Sequence, residues 1–245
     1  MEGGNHSFLY LVGIVILLIL IPAAAIASLI PIGLLSRGLN YPTGPGEGGG
    51  AYETTAYFGK GYMFDSDIVT CEEIKKAIDN ISEFAVFRQD NIPGGEDLAL
   101  AFCHAGQRHH LNPIYILSHA RLETGATLSP IARDKKNLFG YGARDECPYE
   151  CAMSFRTYEE GVNFVMGKIK KNYLAPGGSY YMYEEIIPPD KKAKAEAIKK
   201  YNNISRIEKE TLEAMNIYYA SDARWAVKIK SYMKKTYDFL GKPTF

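Results

Sequence analysis

Glu123 lies in the stretch NPIYILSHARLETGATLSPIARDKKNLFG, Asn112 to Gly140, where a carboxyl group can do acid chemistry. Asn112 followed by Pro113 predicts a helix start: the Asn side chain accepts free helix N–H groups as N-cap, and proline at the first helical position loses no hydrogen bond. Gly125 predicts the end near Thr124, because glycine readily takes the left-handed C′ conformation that closes a helix. Glu123 then sits in the last turn, where the partial negative charge of the carbonyl ends disfavours a carboxylate and favours the protonated acid. Ile116, Ala120 and Glu123 at i, i+4 and i+7 put it on an apolar face, and partial desolvation acts in the same direction. An acid that keeps its proton near neutrality is what protonation of a glycosidic leaving oxygen requires. The plainer alternative is a solvated carboxylate at a helix end, or one paired with Arg121, His119 or Lys135.

Helices surround this stretch. Thr70 with Glu73 forms a capping box ahead of Ile74, Ala77, Ile78 and Ile81, predicting a helix over 70–82. Leu98, Ala101, Phe102 and Ala105 carry another over 96–109, and Cys71 and Cys103 on these two helices can pair if the helices are neighbours. Thr157 with Glu160 and Ser205 with Glu208 make two further capping boxes, the second ahead of Leu212 and Met215. The last helix starts at Ser221 or Asp222 and buries Trp225, Ile229, Tyr232, Met233 and Leu240. Between Asn137 and Tyr158 the Gly and aromatic content changes the character of the chain, and a hairpin of two short strands clamped by Cys147 and Cys151 is expected. The four Cys with His104, His109 and His110 offer a zinc site instead, but no C-x-x-C pair is present, and no metal or cofactor is expected.

The 245 residues hold 28 Lys+Arg and 28 Asp+Glu, so no whole-chain basic field points to nucleic acid. Residues 1–36 include an apolar run, Phe8 to Ile30, long enough to cross a bilayer, which takes about 20 apolar residues. It reads as an N-terminal transmembrane anchor; a cleaved signal peptide ending near Ala25-Ile26-Ala27 is the rival, although MEGGNHS lacks the positive charge of a signal's first region. Residues 37–50, with YPTGPGEGGG, form a Pro/Gly linker, and 51–245 form the folded domain. Arg37 would keep that domain inside, whereas four pairable cysteines and the sequons at Asn80 and Asn203 place it outside, extracytoplasmic or on a virion surface. The outward reading is preferred.

The order of a helix ending in Glu, a hairpin and further helices resembles the lysozyme-type plan, an α+β, mainly α fold with a helical lobe facing a short β-hairpin lobe. Three blocks narrow this. ARLETG (Ala120 to Gly125) is similar to A-x-L-E-S/T-G, NLFG (Asn137 to Gly140) matches outright, and YASDARWA (Tyr219 to Ala226) is similar to Y-A-T-D-x-x-Y-A of the glucosaminidase family. That family includes bacterial autolysins, flagellar muramidase-like enzymes and a mannosyl-glycoprotein endo-β-N-acetylglucosaminidase type.

The resemblance implies a glycosidase that cleaves β-1,4 linkages next to N-acetylglucosamine in cell-wall glycan or the N-glycan core. It makes Glu123 the general acid and Tyr219 the active-site phenol. Asn137, Phe139, Tyr141, Glu150 and Asp222 are candidate groove or substrate-binding residues, with Asp222 also a helix cap. A second carboxylate, from Asp145, Glu146 or Glu150, would have to stand about 6.5 to 9.5 Å from the acid for inversion or about 5 to 5.5 Å for retention. Glu146 is the choice by its distance from the turn, unless the substrate's own acetamido group is the nucleophile. The rivals are a lytic transglycosylase using the same acid and a non-catalytic glycan-binding envelope protein.

Overall fold

The computed structural model describes Phe58 and residues 61–244. The expected membrane anchor, the linker and the opening of the 51–245 domain therefore lie outside the described residues. Among the described residues no helix is long and apolar enough to cross a membrane.

The described residues form nine α-helices: α1 Cys71–Asn80, α2 Leu98–His109, α3 Pro113–Thr124, α4 Pro130–Asp134, α5 Pro148–Cys151, α6 Tyr158–Ile169, α7 Lys192–Asn202, α8 Leu212–Tyr219 and α9 Trp225–Leu240. Short 3-10 turns join several of them, and α6 runs on through a wider turn at Lys170–Leu174.

Helix α3 is the axis. Asn112 caps it as expected, with its Oδ1 accepting from Ile114 N at 2.9 Å while its Nδ2 donates to Tyr62 O and the Tyr237 hydroxyl. Every residue from Pro113 to Arg121 is buried, so α3 has no solvent face until its last turn. Helices α2 and α9 pack against it, and α2 also lies along α6. Gly125 ends α3 at φ +74, ψ −160, a positive-φ conformation that favours glycine although it is not the left-handed helical one expected, and its N–H returns to Arg121 O. One large core surrounds α3; a smaller cluster of Ile187, Ala195, Ile198, Ile207, Ala214 and Ile217 lies under α7 and α8.

The two predicted disulfides form. Cys71–Cys103 joins α1 to α2, and Cys147–Cys151 closes one turn. All four cysteines are consumed in this way, which removes the thiolates that the zinc alternative needed.

The expected β-hairpin is absent: no strand occurs among the described residues. In its place Pro148 starts the one-turn helix α5, and a disulfide four residues apart fits that turn instead of clamping two strands. A single bond between backbones, Met153 N to Tyr141 O, spans the would-be strands. The Asn137 side chain takes the remaining positions, with Nδ2 donating to Tyr141 O and Met153 O and Oδ1 accepting from Tyr141 N, all at 2.9 Å. A side-chain amide that saturates these groups leaves no ladder to build.

Other helix boundaries shift for similar reasons. Thr70 and Glu73 make the full capping box. At α6 only half of one forms, because Glu160 accepts from Arg156 N while its own N–H bonds Thr157. Ser205 and Glu208 start no helix; α8 begins after Thr211, whose hydroxyl accepts from Ala214 N. Glu96 stays outside α2, where Asp97 is the cap, and instead bridges Lys136 Nζ and Tyr158 N.

Candidate active site

Glu123 stands where α3 emerges from the core, its side chain 19% exposed. Its Oε1 accepts from the Trp225 indole N–H at 3.0 Å and lies 3.3 Å from His119 Nε2. Trp225 is the first residue of α9, so two helices far apart in sequence meet on one carboxyl oxygen.

The residues behind Glu123 are those at i−4 and i−8, His119 and Tyr115, rather than the Ile116 face expected. His119 is completely buried and ringed by Tyr115, Phe139, Tyr219 and Trp225, with centroids at 5.5, 5.3, 4.9 and 5.1 Å. Its Nδ1 is 3.1 Å from the Tyr115 hydroxyl. Sequence reasoning offered His119 only as a salt-bridge alternative and saw Trp225 only as a core residue. The i, i+4, i+8 spacing of Tyr115, His119 and Glu123 was the available signal.

Tyr219, the last residue of α8, is 3% exposed and lies against Trp225 with ring centroids 4.7 Å apart. Its hydroxyl is buried and has no hydrogen-bond partner among the described residues. Burial, followed by the charge of Glu123 and the neighbouring phenols of Tyr115 and Tyr173, pushes this phenol well above the ordinary tyrosine range. It therefore keeps its proton and remains a donor.

The NLFG loop packs against the end of α3. Thr124 Oγ1 donates to Leu138 O at 3.1 Å, tying the end of α3 to the loop, and Phe139 presents its edge to His119. Asn137 is buried with its amide spent inside the loop. Tyr141 is partly buried beside Phe164, and its phenol is raised by that burial.

Asp222 is a local brace. Its Oδ1 accepts from Arg224 N at 2.9 Å and its Oδ2 meets Lys228 Nζ at 2.9 Å. Burial tends to raise its carboxyl, but the bonds to Lys228 and Arg224 outweigh this and hold it below the usual range. It precedes the start of α9 by three residues instead of opening that helix. Asp145 and Glu146 precede α5 and Glu150 lies within it, and none of the three bonds Glu123 among the described residues.

Residues 99–238, which contain the whole of this cluster, match the family model described as Glucosaminidase, mannosyl-glycoprotein endo-beta-N-acetylglucosaminidase. The chain belongs to the glucosaminidase family. It is 32% identical over 146 residues to two proteins of Streptococcus pneumoniae, from serotype 4 strain TIGR4 and from strain R6, each named "Putative endo-beta-N-acetylglucosaminidase". The match covers 60% of this chain but only 18% and 17% of those relatives, so the chain spans less than a fifth of their length. Among solved structures it is similar to S. aureus autolysin E. A catalytic mutant in complex with the disaccharide NAG-NAM aligns at TM-score 0.45 and 18% identity, over 78% of this chain and 79% of that one. Autolysin E itself aligns at TM-score 0.44 and 19% identity over the same shares.

Within this glucosaminidase domain the block YASDARWA, Tyr219 to Ala226, contributes both Tyr219 and Trp225 to the cluster. Trp225 supplies the indole N–H that holds Glu123.

Proposed function

We propose that this glucosaminidase hydrolyses β-1,4 bonds next to N-acetylglucosamine in cell-wall glycan, with Glu123 as general acid. The observation that carries the reading is the single carboxyl group at the mouth of a buried aromatic cluster, bonded by Trp225 and partly open to solvent. Protonated Glu123 gives its proton to the glycosidic oxygen as the bond from that oxygen to C1 breaks, and the leaving sugar departs as an alcohol.

The positive charge at C1 then needs a nucleophile. That nucleophile is the substrate's own acetamido oxygen in this reading, with a carboxylate of the α5 segment, Glu146, as the alternative. The Tyr219 hydroxyl, protonated and without a partner, is assigned to orient that acetamide, which requires substrate binding to uncover it. Water then opens the cyclised intermediate and restores the proton to Glu123.

The same geometry serves a lytic transglycosylase, in which a sugar hydroxyl attacks C1 in place of water. Purified protein incubated with peptidoglycan and with an N-linked glycoprotein, the products read by mass spectrometry, distinguishes these outcomes. Reducing ends on peptidoglycan fragments are expected; anhydro-sugar ends would show the transglycosylase, and binding of glycan without cleavage by wild type would overturn the enzyme reading.

We also propose that the run Phe8 to Ile30 anchors the domain and that the domain works outside the cytoplasm. Four cysteines all engaged in disulfides support an oxidising compartment. Alkali-resistant membrane association and protease accessibility of the domain on intact cells are the expected results.

A further inference from the structure

The polar atoms around Glu123 are unevenly shared between its two oxygens. Both contacts, Trp225 Nε1 at 3.0 Å and His119 Nε2 at 3.3 Å, fall on Oε1, and none of the described residues bonds Oε2. The His119 contact is not aligned as a hydrogen bond, yet its fully buried Nε2 has no other partner among the described residues. A buried polar atom left unpaired is costly, and here its nearest polar neighbour is the proposed acid.

The other ring nitrogen decides what Nε2 carries. Tyr115 Oη lies 3.1 Å from Nδ1, and its remaining polar neighbour is Met215 Sδ at 4.0 Å, a weak acceptor. Tyr115 is buried, and that burial, then the charge of Glu123 and the phenol of Tyr173, keeps it protonated, so it has an O–H to donate. Donation to Nδ1 leaves the ring proton on Nε2, facing Oε1. The opposite tautomer would aim a bare lone pair at an oxygen that already accepts from Trp225.

We propose that Tyr115 and His119 form a positioning relay for Glu123: the Tyr115 O–H fixes the His119 tautomer, and His119 Nε2–H with the Trp225 N–H clamps Oε1, so that Oε2 is the oxygen that carries and delivers the proton. The proposal rests on Glu123 being the acid. Once the proton leaves Oε2 for the glycosidic oxygen, the carboxylate negative charge is met by the Trp225 N–H already bonded to Oε1 and by His119 Nε2–H from 3.3 Å away. The ionisable and polar groups facing His119 are Glu123 and Tyr115 on α3, Tyr219 on α8 and the Trp225 indole on α9.

The test uses the full-length chain. His119→Leu is expected to lower kcat by about 10- to 100-fold with KM within about twofold, the scale on which a misplaced catalytic group loses rate. His119→Gln, whose amide N–H can take the place of Nε2–H, should recover most of that loss. Tyr115→Phe, which keeps the packing and removes only the hydroxyl, should fall between them, and it tests the relay even if His119→Leu fails to fold. Ring nitrogen NMR should show His119 protonated on Nε2 alone, with that resonance moving in Glu123→Gln. Unchanged kcat in both His119→Leu and Tyr115→Phe, a ring protonated on Nδ1, or an Nε2 signal indifferent to Glu123→Gln overturns the proposal. If wild type cleaves no glycan, the acid reading fails by itself, and the NMR measurements still decide the relay.

Discussion

The Trp225 indole N–H reaches Glu123 Oε1 at 3.0 Å across 102 positions of sequence, joining the first residue of α9 to the last turn of α3. Trp225 is the one tryptophan of the sequence, so the hold on the proposed acid is tied to this residue. Trp225→Phe keeps an aromatic ring against Tyr219 and His119 but removes the N–H donor and part of the buried indole. It should lower kcat by about 10- to 100-fold through a less well placed acid and lower the melting temperature because the smaller ring leaves a cavity. An unaltered kcat would show that the bond does not serve catalysis.

Glu123→Gln should reduce cleavage of peptidoglycan by about 10²- to 10⁴-fold, the contribution typical of a general acid. Because 19% of the side chain is exposed and the amide is nearly isosteric, the thermal transition should stay close to wild type. Retention of full activity would remove Glu123 from the chemistry.

Tyr219→Phe separates function from folding. The hydroxyl is buried without a partner, so its removal should leave the melting temperature equal or higher, since an unpaired polar atom no longer has to be desolvated. If that hydroxyl orients the acetamide, kcat on N-acetylated oligosaccharides should still fall by about tenfold or more.

Stability should decline in acid. Glu184 is held below its ordinary value of 4.5 by Lys199, followed by the Ile207 N–H. Glu83 is lowered chiefly by Lys235, and Glu73 chiefly by Lys242. A depressed folded-state value means that the folded protein binds fewer protons than the unfolded chain. The stabilisation is therefore complete above the unfolded value and lost as pH falls through the folded one. Melting temperature should drop as pH is lowered from about 5 toward 2, and Glu184→Gln should flatten that slope. These groups are mostly solvated, so each contributes modestly.

The two disulfides should differ in weight. Cys71–Cys103 closes a loop of separation 32 and Cys147–Cys151 one of separation 4. By loop-closure entropy, opening the first should cost about 4 kcal/mol and the second about 2 kcal/mol. Urea denaturation of Cys71→Ser/Cys103→Ser and Cys147→Ser/Cys151→Ser measures both, and an equal loss would contradict the entropic account.

Local rules made much of the frame readable. Asn112 and Pro113 start α3, Gly125 ends it, and Thr70 with Glu73 opens α1, because caps act over three or four residues and need nothing from the rest of the chain. Pairing of Cys71 with Cys103 followed once their helices were adjacent. The hairpin was misread because the Asn137 amide, at the start of the NLFG loop, takes the backbone groups that strand pairing would have used. The Ser205 pattern failed likewise, since Glu208 is drawn to Arg206 and Thr211 offers a later cap.

The sequence by itself determined the helix that carries Glu123, the turn in which that carboxyl sits and the three blocks that mark the family. Which groups surround the carboxyl was decided by tertiary structure. His119 lies one turn away, but its burial, its contact with the carboxyl and the arrival of Trp225 and Tyr219 depend on how α8 and α9 pack on α3. Periodicity reports that a residue is buried and on which face of its own helix; it carries no information about which distant side chain meets it there. Only the packed core sets that, because close packing admits few arrangements of large aromatic rings around one imidazole.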